Sequence, residues 1–137
     1  MRPSKKEAIL NAAVELIEQD GLEAVSYEAL AEASGMSKSG IVYHFPSRHE
    51  IMRGIHQHMA DQWERELEEV AGAPAESLRG SQRLRAVVLS LNRSATKADL
   101  LLEVDARGQP EFAEIWRQVD DRWAPSPQNI EHDNDAR

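Results

Sequence analysis

Gly35 Met36 Ser37 Lys38 Ser39 Gly40 Ile41 Val42 Tyr43 His44 Phe45 Pro46 Ser47 Arg48 decides how this chain folds, because it reads as a tight turn followed by a very short helix with a polar outer face. Just upstream, Ser26 is placed to cap a helix running through Tyr27 to Ala33, its hydroxyl accepting a hydrogen bond from an otherwise unpaired amide of the first turn. Gly35 supplies the left-handed backbone on which helices commonly stop. Met36 plugs the turn and Ser37 caps the next helix, which ends at Phe45 because Pro46 disfavours the helical state in the residue before it. Helix, glycine-containing turn and helix, in that order, form a helix-turn-helix. At about 100° per residue, Ile41, Val42 and Phe45 fall on one side of the second helix and Ser39, Gly40 and Tyr43 on the other. Gly40 costs about 1 kcal/mol relative to Ala inside a helix, which points to something bulky approaching the backbone there. Lys38 and His44 flank this second face and Tyr43 adds a hydroxyl, all residue types that contact phosphates and base edges. The plainer alternative is a mere link between two core helices, with Tyr43 and His44 as surface decoration.

The flanking residues favour the first reading. Ile9, Ala12, Ala13, Leu16 and Ile17 have the i, i+3, i+4, i+7, i+8 spacing of a buried stripe, which predicts a helix from about Ser4 to Asp20 terminated by Gly21. It would brace the two turn helices. Lys5 and Lys6 at its start fit phosphate contacts and solvated surface lysines equally well. From Ala8 through the turn to Tyr43 His44 Phe45 Pro46 Ser47 Arg48 His49 Glu50 Ile51 Met52, roughly the first third of the chain resembles, without a gap, the amino-terminal DNA-binding domain of the TetR family of bacterial transcriptional regulators. That family usually places a small residue and then Thr or Ala after its Ser-Lys pair, and an aromatic at the place of Val42. Ser39, Gly40 and Val42 make this chain a variant of the pattern.

The resemblance implies an all-α fold, with a three-helix helix-turn-helix head over residues 1–46 joined by a long helix to a partial helical regulatory bundle over 47–124. It also implies a repressor whose helix from Lys38 to Phe45 enters the major groove of double-stranded DNA. On that expectation Ser39, Gly40 and Tyr43 meet bases, and Lys38, Tyr43, His44 and Arg48 hold phosphates. The helix starts at Ser26, Tyr27 and Ser37 would assist with backbone amides. A palindromic operator, a homodimer with reading helices about 34–36 Å apart and a small-molecule effector in the second bundle complete the implied mechanism, with no cofactor and no membrane partner. The rival is a shortened module that captures an effector or a full-length relative without binding DNA.

Charge bears on this choice. The formal net charge is -8, unlike the basic domains typical of nucleic-acid binders. In the first fifty residues Arg2, Lys5, Lys6, Lys38 and Arg48 stand against eight acids, 5 - 8 = -3. Within a Debye length of about 8 Å the local distribution matters more than this sum, and those cations gather at the chain start, the reading helix and the cap after it. The sequence has no cysteine, hence no disulfide framework and no thiolate metal site. It shows no signal peptide and no apolar run of membrane-spanning length, so a cytoplasmic protein is expected.

Beyond the head, Ser47 and Glu50 have capping-box spacing, and Met52, Ile55, Met59, Trp63, Leu67 and Val70 mark one long helix. The segment from Ala71 to Ala75 breaks it. Leu84, Val87, Val88 and Leu91 predict a further amphipathic helix, and Leu100, Leu101 and Val104 another between about Lys97 and Arg107. Gly108 and Pro110 separate that one from a last stripe of Phe112, Ile115, Trp116, Val119 and Trp123. Residues 125–137 are polar and patternless and read as a frayed tail. Members of the family normally continue into two helices that pair with a second subunit, so a shortened product, a different mode of dimerisation and a monomer all stay open. His44, His49, His56, His58 and His132 contain no i, i+4 pair and no recognised acid partner, which argues against a metal or hydrolytic centre. With no Gly-rich phosphate loop either, the chain is read as no enzyme.

Overall fold

Four serines start the first four helices. Ser4, Ser26, Ser37 and Ser47 each accept a hydrogen bond through Oγ from the amide three residues on, those of Glu7, Ala29, Gly40 and Glu50, at 3.1–3.2 Å. Each cap satisfies one of the amides a helix leaves unpaired at its start. The computed structural model describes residues 3–91 and 96–124. Among the described residues it is all-α, with α1 (Lys5–Asp20), α2 (Tyr27–Ser34), α3 (Lys38–His44), α4 (Arg48–Ala71), α5 (Gly80–Leu91), α6 (Lys97–Arg107) and α7 (Pro110–Trp123). The tail expected from residue 125 lies outside them.

Gly35 and Gly72 end α2 and α4 with φ of 75° and 82°, left-handed values that a side chain would strain. Ile9, Ala13 and Ile17 of α1, Leu30 of α2 and Ile41 of α3 are buried together with Phe45, Ile51 and Ile55. Full burial of each large apolar side chain contributes about 1.5–3 kcal/mol. The core continues along α4 through Met59 and Leu67 to Leu102, Phe112, Val119 and Trp123, so head and bundle share one interior.

Three joints fix α4 and α1 against their neighbours. At the first, a Cβ on Gly54 would lie 2.7 Å from Cε1 of Phe45 and 3.2 Å from Cδ2 of Leu10, so only glycine lets α4 approach the end of α3 this closely. At the second, His56 is fully buried, stacks on Phe112 at 4.5 Å, and is 2.8 Å from Asp105 Oδ2 through Nε2. The Trp116 indole N–H donates to its Nδ1 at 3.0 Å. Because an indole nitrogen only donates, Nδ1 carries no proton and Nε2–H donates to Asp105, so one imidazole ties α4 to both α6 and α7. Third, the Glu18 carboxylate of α1 accepts from the Lys97 and Ala98 amides at 3.1 and 2.7 Å, clasping the first turn of α6. Toward the far end, Glu64 accepts two bonds from Arg122 at 2.7 Å and one from the Trp123 indole at 2.8 Å.

Two expectations about the bundle are corrected. The stripe of α5 faces outward: Leu84, Val88 and Leu91 are exposed, as is Leu89, while Gly80, Ala86 and Ser90 are the buried residues of this helix and Val87 is partly buried. Helix α6 likewise buries Ala98, Leu102 and Ala106 and exposes Leu100 and Val104. Periodicity locates an apolar stripe but carries no information on which neighbour covers it.

Candidate nucleic-acid interface

The exposed face of α3 is built by its surroundings. Ile41 and Phe45, one turn apart, are buried in the head, and the Tyr27 hydroxyl donates to the Phe45 carbonyl at 2.6 Å. This holds the carboxyl end of α3 on α2 and leaves Ser37, Lys38, Ser39 and Tyr43 exposed together. Tyr43 is 75% exposed, and its ring lies against that of His44 with centroids 5.2 Å apart. Val42, expected to turn inward with Ile41 and Phe45, is instead 40% exposed. A seven-residue helix has room for one narrow buried stripe, which Ile41 and Phe45 fill, so Val42 joins the outer face.

Gly40 also needs a different account. A Cβ there would sit 3.1 Å from Ser37 Oγ and 3.5 Å from Met36 Cε, so the turn already crowds this position, and its glycine follows from the helix's own cap without any external body. Ser26 and Ser37 spend their hydroxyls on capping, and Tyr27 spends its own on Phe45. The Ser37 and Ser39 hydroxyls are 3.3 Å apart.

Of the cations, Lys38 reaches Glu28 Oε1 at 2.7 Å, and Glu28 is held below the usual carboxylate range first by that hydrogen bond. Both side chains are more than half exposed, so the pair contributes little and can open. Arg48 donates to the Leu22 carbonyl at 3.1 Å, tying the start of α4 to the turn after α1. Lys6 was not assigned from the sequence. Its Nζ lies 5.4 Å from the centroid of the Phe45 ring, which brings a cation from the chain start to the end of α3. Its sequence signal was only its place in the first turn of α1.

Residues 9–55 match the family model described as bacterial regulatory proteins, tetR family. Over this head the chain is similar to the TetR family. A 60-residue segment, 44% of this chain, is 35% identical to the HTH-type transcriptional regulator RutR of Escherichia coli (strain K12) and spans 28% of RutR's length. The fold extends further. SCO7518 of Streptomyces coelicolor A3(2) superposes with a TM-score of 0.69 at 24% identity over 95% of this chain and 75% of its own. The multidrug binding protein EbrR complexed with ethidium gives 0.63 at 19% identity over 97% and 75%. The head, similar to that of the TetR family over residues 9–55, is a helix-turn-helix whose second helix, α3, carries the exposed face.

Among the described residues no group of three His, Asp or Glu is placed to hold a metal ion, and no helix is long and apolar enough to cross a membrane. His49 pairs with Glu111 at 2.8 Å and His58 with Asn11 at 2.9 Å, both as surface ties between helices. An effector cavity was expected inside the second bundle. Trp63, Phe112, Trp116 and Trp123 fill that region with His56. Two hollows lie toward the carboxyl end of α4. An open groove of about 790 Å³ runs by Arg65, Glu66, Glu68 and Glu69 of α4, and a smaller one of about 200 Å³ with a mixed lining lies between α4 and α5, bounded by Val70, Leu78, Gln82, Arg85 and Leu89.

Proposed function

We propose that this protein is a cytoplasmic repressor that occupies a palindromic operator as a homodimer and leaves it when a small molecule binds the second bundle. The observation that carries this reading is Tyr43, three-quarters exposed on a helix whose opposite side is locked into the head by Ile41 and Phe45. A large side chain held out on so short and well-anchored a helix suits insertion into a major groove. Ser39, Val42 and Tyr43 then face base edges, with Gly40 letting the backbone come close. Lys38, His44, Arg48 and Lys6 lie toward the phosphates, and Ser26, Tyr27 and Ser37 position the two helices. RutR supports the regulatory role as a transcriptional regulator similar over the head. EbrR, bound to ethidium in a fold of this kind, supports a small-molecule effector.

Selection from a random pool of duplex DNA supplies the operator, and fluorescence anisotropy against salt then tests the interface. Lys38→Ala should weaken binding to all sequences and lower the log-log salt slope by about 1. Glu28→Gln should do the reverse, freeing Lys38 and tightening binding. Unchanged slopes in both variants would remove Lys38 from the interface. The net charge of -8 favours the rival module without DNA activity, and a pool from which no sequence is enriched would establish it.

A further inference from the structure

Glu28 places an anion where the proposed interface calls for cations. It is the second residue of α2, and its carboxylate accepts from Lys38 Nζ at 2.7 Å, so the one lysine of α3 comes to the outer face already paired. The backbone beneath it is fixed on both sides. Ser26 caps the helix through the Ala29 amide, and Tyr27, the residue before Glu28, is bonded to the Phe45 carbonyl at the far end of α3. The side chain itself is 71% exposed. An anion brought among phosphates lowers affinity for every duplex. What such a group can supply in return is discrimination.

Helix α3 contains no Arg, Asn or Gln, the side chains that pair bidentately with guanine or adenine. The hydroxyls of Ser39 and Tyr43 can donate or accept, so their polarity alone selects no base edge. An ionised carboxylate only accepts. In the major groove guanine offers it two acceptors, thymine an acceptor and a methyl group, and adenine a donor beside an acceptor. Cytosine offers a donor with no acceptor next to it. We infer, on the footing of the DNA reading above, that Glu28 is a specificity-determining residue whose carboxylate accepts from the N4 amino group of an operator cytosine when α3 lies in the groove. Lys38 aims it: an ammonium has three N–H groups, so one can hold Glu28 while another meets a phosphate. On DNA with another base at that place the carboxylate faces an acceptor and is repelled. An acid in the first turn of α2 also suits the positive end of that helix, but such a role is indifferent to base sequence.

Selection from a random duplex pool, run with the full-length wild type, Glu28→Gln and Glu28→Ala, tests the assignment, with circular dichroism to check that both variants stay helical. Wild type should enrich cytosine at one position. Glu28→Gln, whose amide both donates and accepts, should enrich adenine there instead, and Glu28→Ala should leave that position unselected and the others unchanged. In fluorescence anisotropy, thymine in place of that cytosine should cost the wild type about tenfold in affinity and cost Glu28→Ala nothing. Pools enriched for the same bases in wild type and both variants would overturn the contact and leave the DNA reading standing. Tighter binding of both variants to all duplexes, with preferences unaltered, would likewise overturn it, reducing Glu28 to a general repulsive charge. A wild-type pool without any enriched sequence would remove the DNA reading and the contact together.

Discussion

His56→Leu should lower the stability of the protein by about 3 kcal/mol in urea titrations, because two buried or half-buried groups, Asp105 and the Trp116 indole, lose their partner at once. The isobutyl side chain fills part of the space against Phe112 and restores neither bond. His56→Gln, which can still donate toward Asp105, should recover part of the loss; equal losses in the two variants would show that packing, and not the hydrogen bonds, sets the cost. The same joint makes stability depend on pH. Burial is the leading influence on His56 and pushes its pKa below the ordinary imidazole value, against an opposing pull from Asp105. His58 is lowered too, again mainly by burial, with Arg65 adding to the effect. A lowered folded value means that the unfolded chain binds more protons between the folded pKa and about 6.5, so stability rises with pH there. It should therefore fall as pH drops from 7 toward 5, and His56→Leu should flatten that slope. Below this range Glu64 adds a second loss of the same sign. Its pKa is depressed first by Arg122, so the stability it gives is present above the usual carboxylate value and disappears as pH falls through the folded one.

Gly54→Ala should weaken both the fold and the proposed DNA binding. Alanine gains about 1 kcal/mol of helix propensity over glycine. Its Cβ, however, meets the Phe45 ring at 2.7 Å between α4, α3 and α1, and overpacking of this kind costs about 1–3 kcal/mol. We expect a net loss of about 1–2 kcal/mol. Affinity for the selected DNA should fall about tenfold, because moving Phe45 also moves the carbonyl that holds Tyr27 and tilts α3. Phe45→Leu in the Gly54→Ala background should return most of that affinity, and a double variant showing the sum of the single losses would refute the proposed contact.

How much of this was legible before the structure depends on how local the cause is. The capping serines Ser26, Ser37 and Ser47, the left-handed turn at Gly35 and the break around Gly72 answer to neighbours a few residues away, and each was read in place; Ser4, taken as the first residue of its helix, is its cap. The inward side of α3 was half legible: Ile41 and Phe45 follow from helical spacing, whereas Val42 required knowing that only one narrow stripe is covered. Gly54 and His56 depend on residues of other helices: Gly54 was not singled out, and His56 was named only among the histidines without a recognised acid partner, whereas Asp105 is its partner in the fold. His56 did leave a trace, since it stands four residues after Met52 and three before Met59, on the stripe of α4 that the pattern marks as inner. A histidine there asks for buried partners, but nothing in sequence spacing points to Asp105 and Trp116, 49 and 60 residues on. The outward stripes of α5 and α6 were misread for the same reason, because the neighbours that decide which side is covered are distant in sequence.

The clasp of Glu18 on the first turn of α6 has a mechanical consequence. Together with the seat of Phe45 on Gly54 and the His58–Asn11 tie, it mounts the head on the bundle at three separate places, two through α1 and one through the end of α3. With one apolar interior running between these pins, no hinge axis is left free. A push on the bundle therefore reaches α3 as a displacement of the whole head, in the way a handle moves a blade.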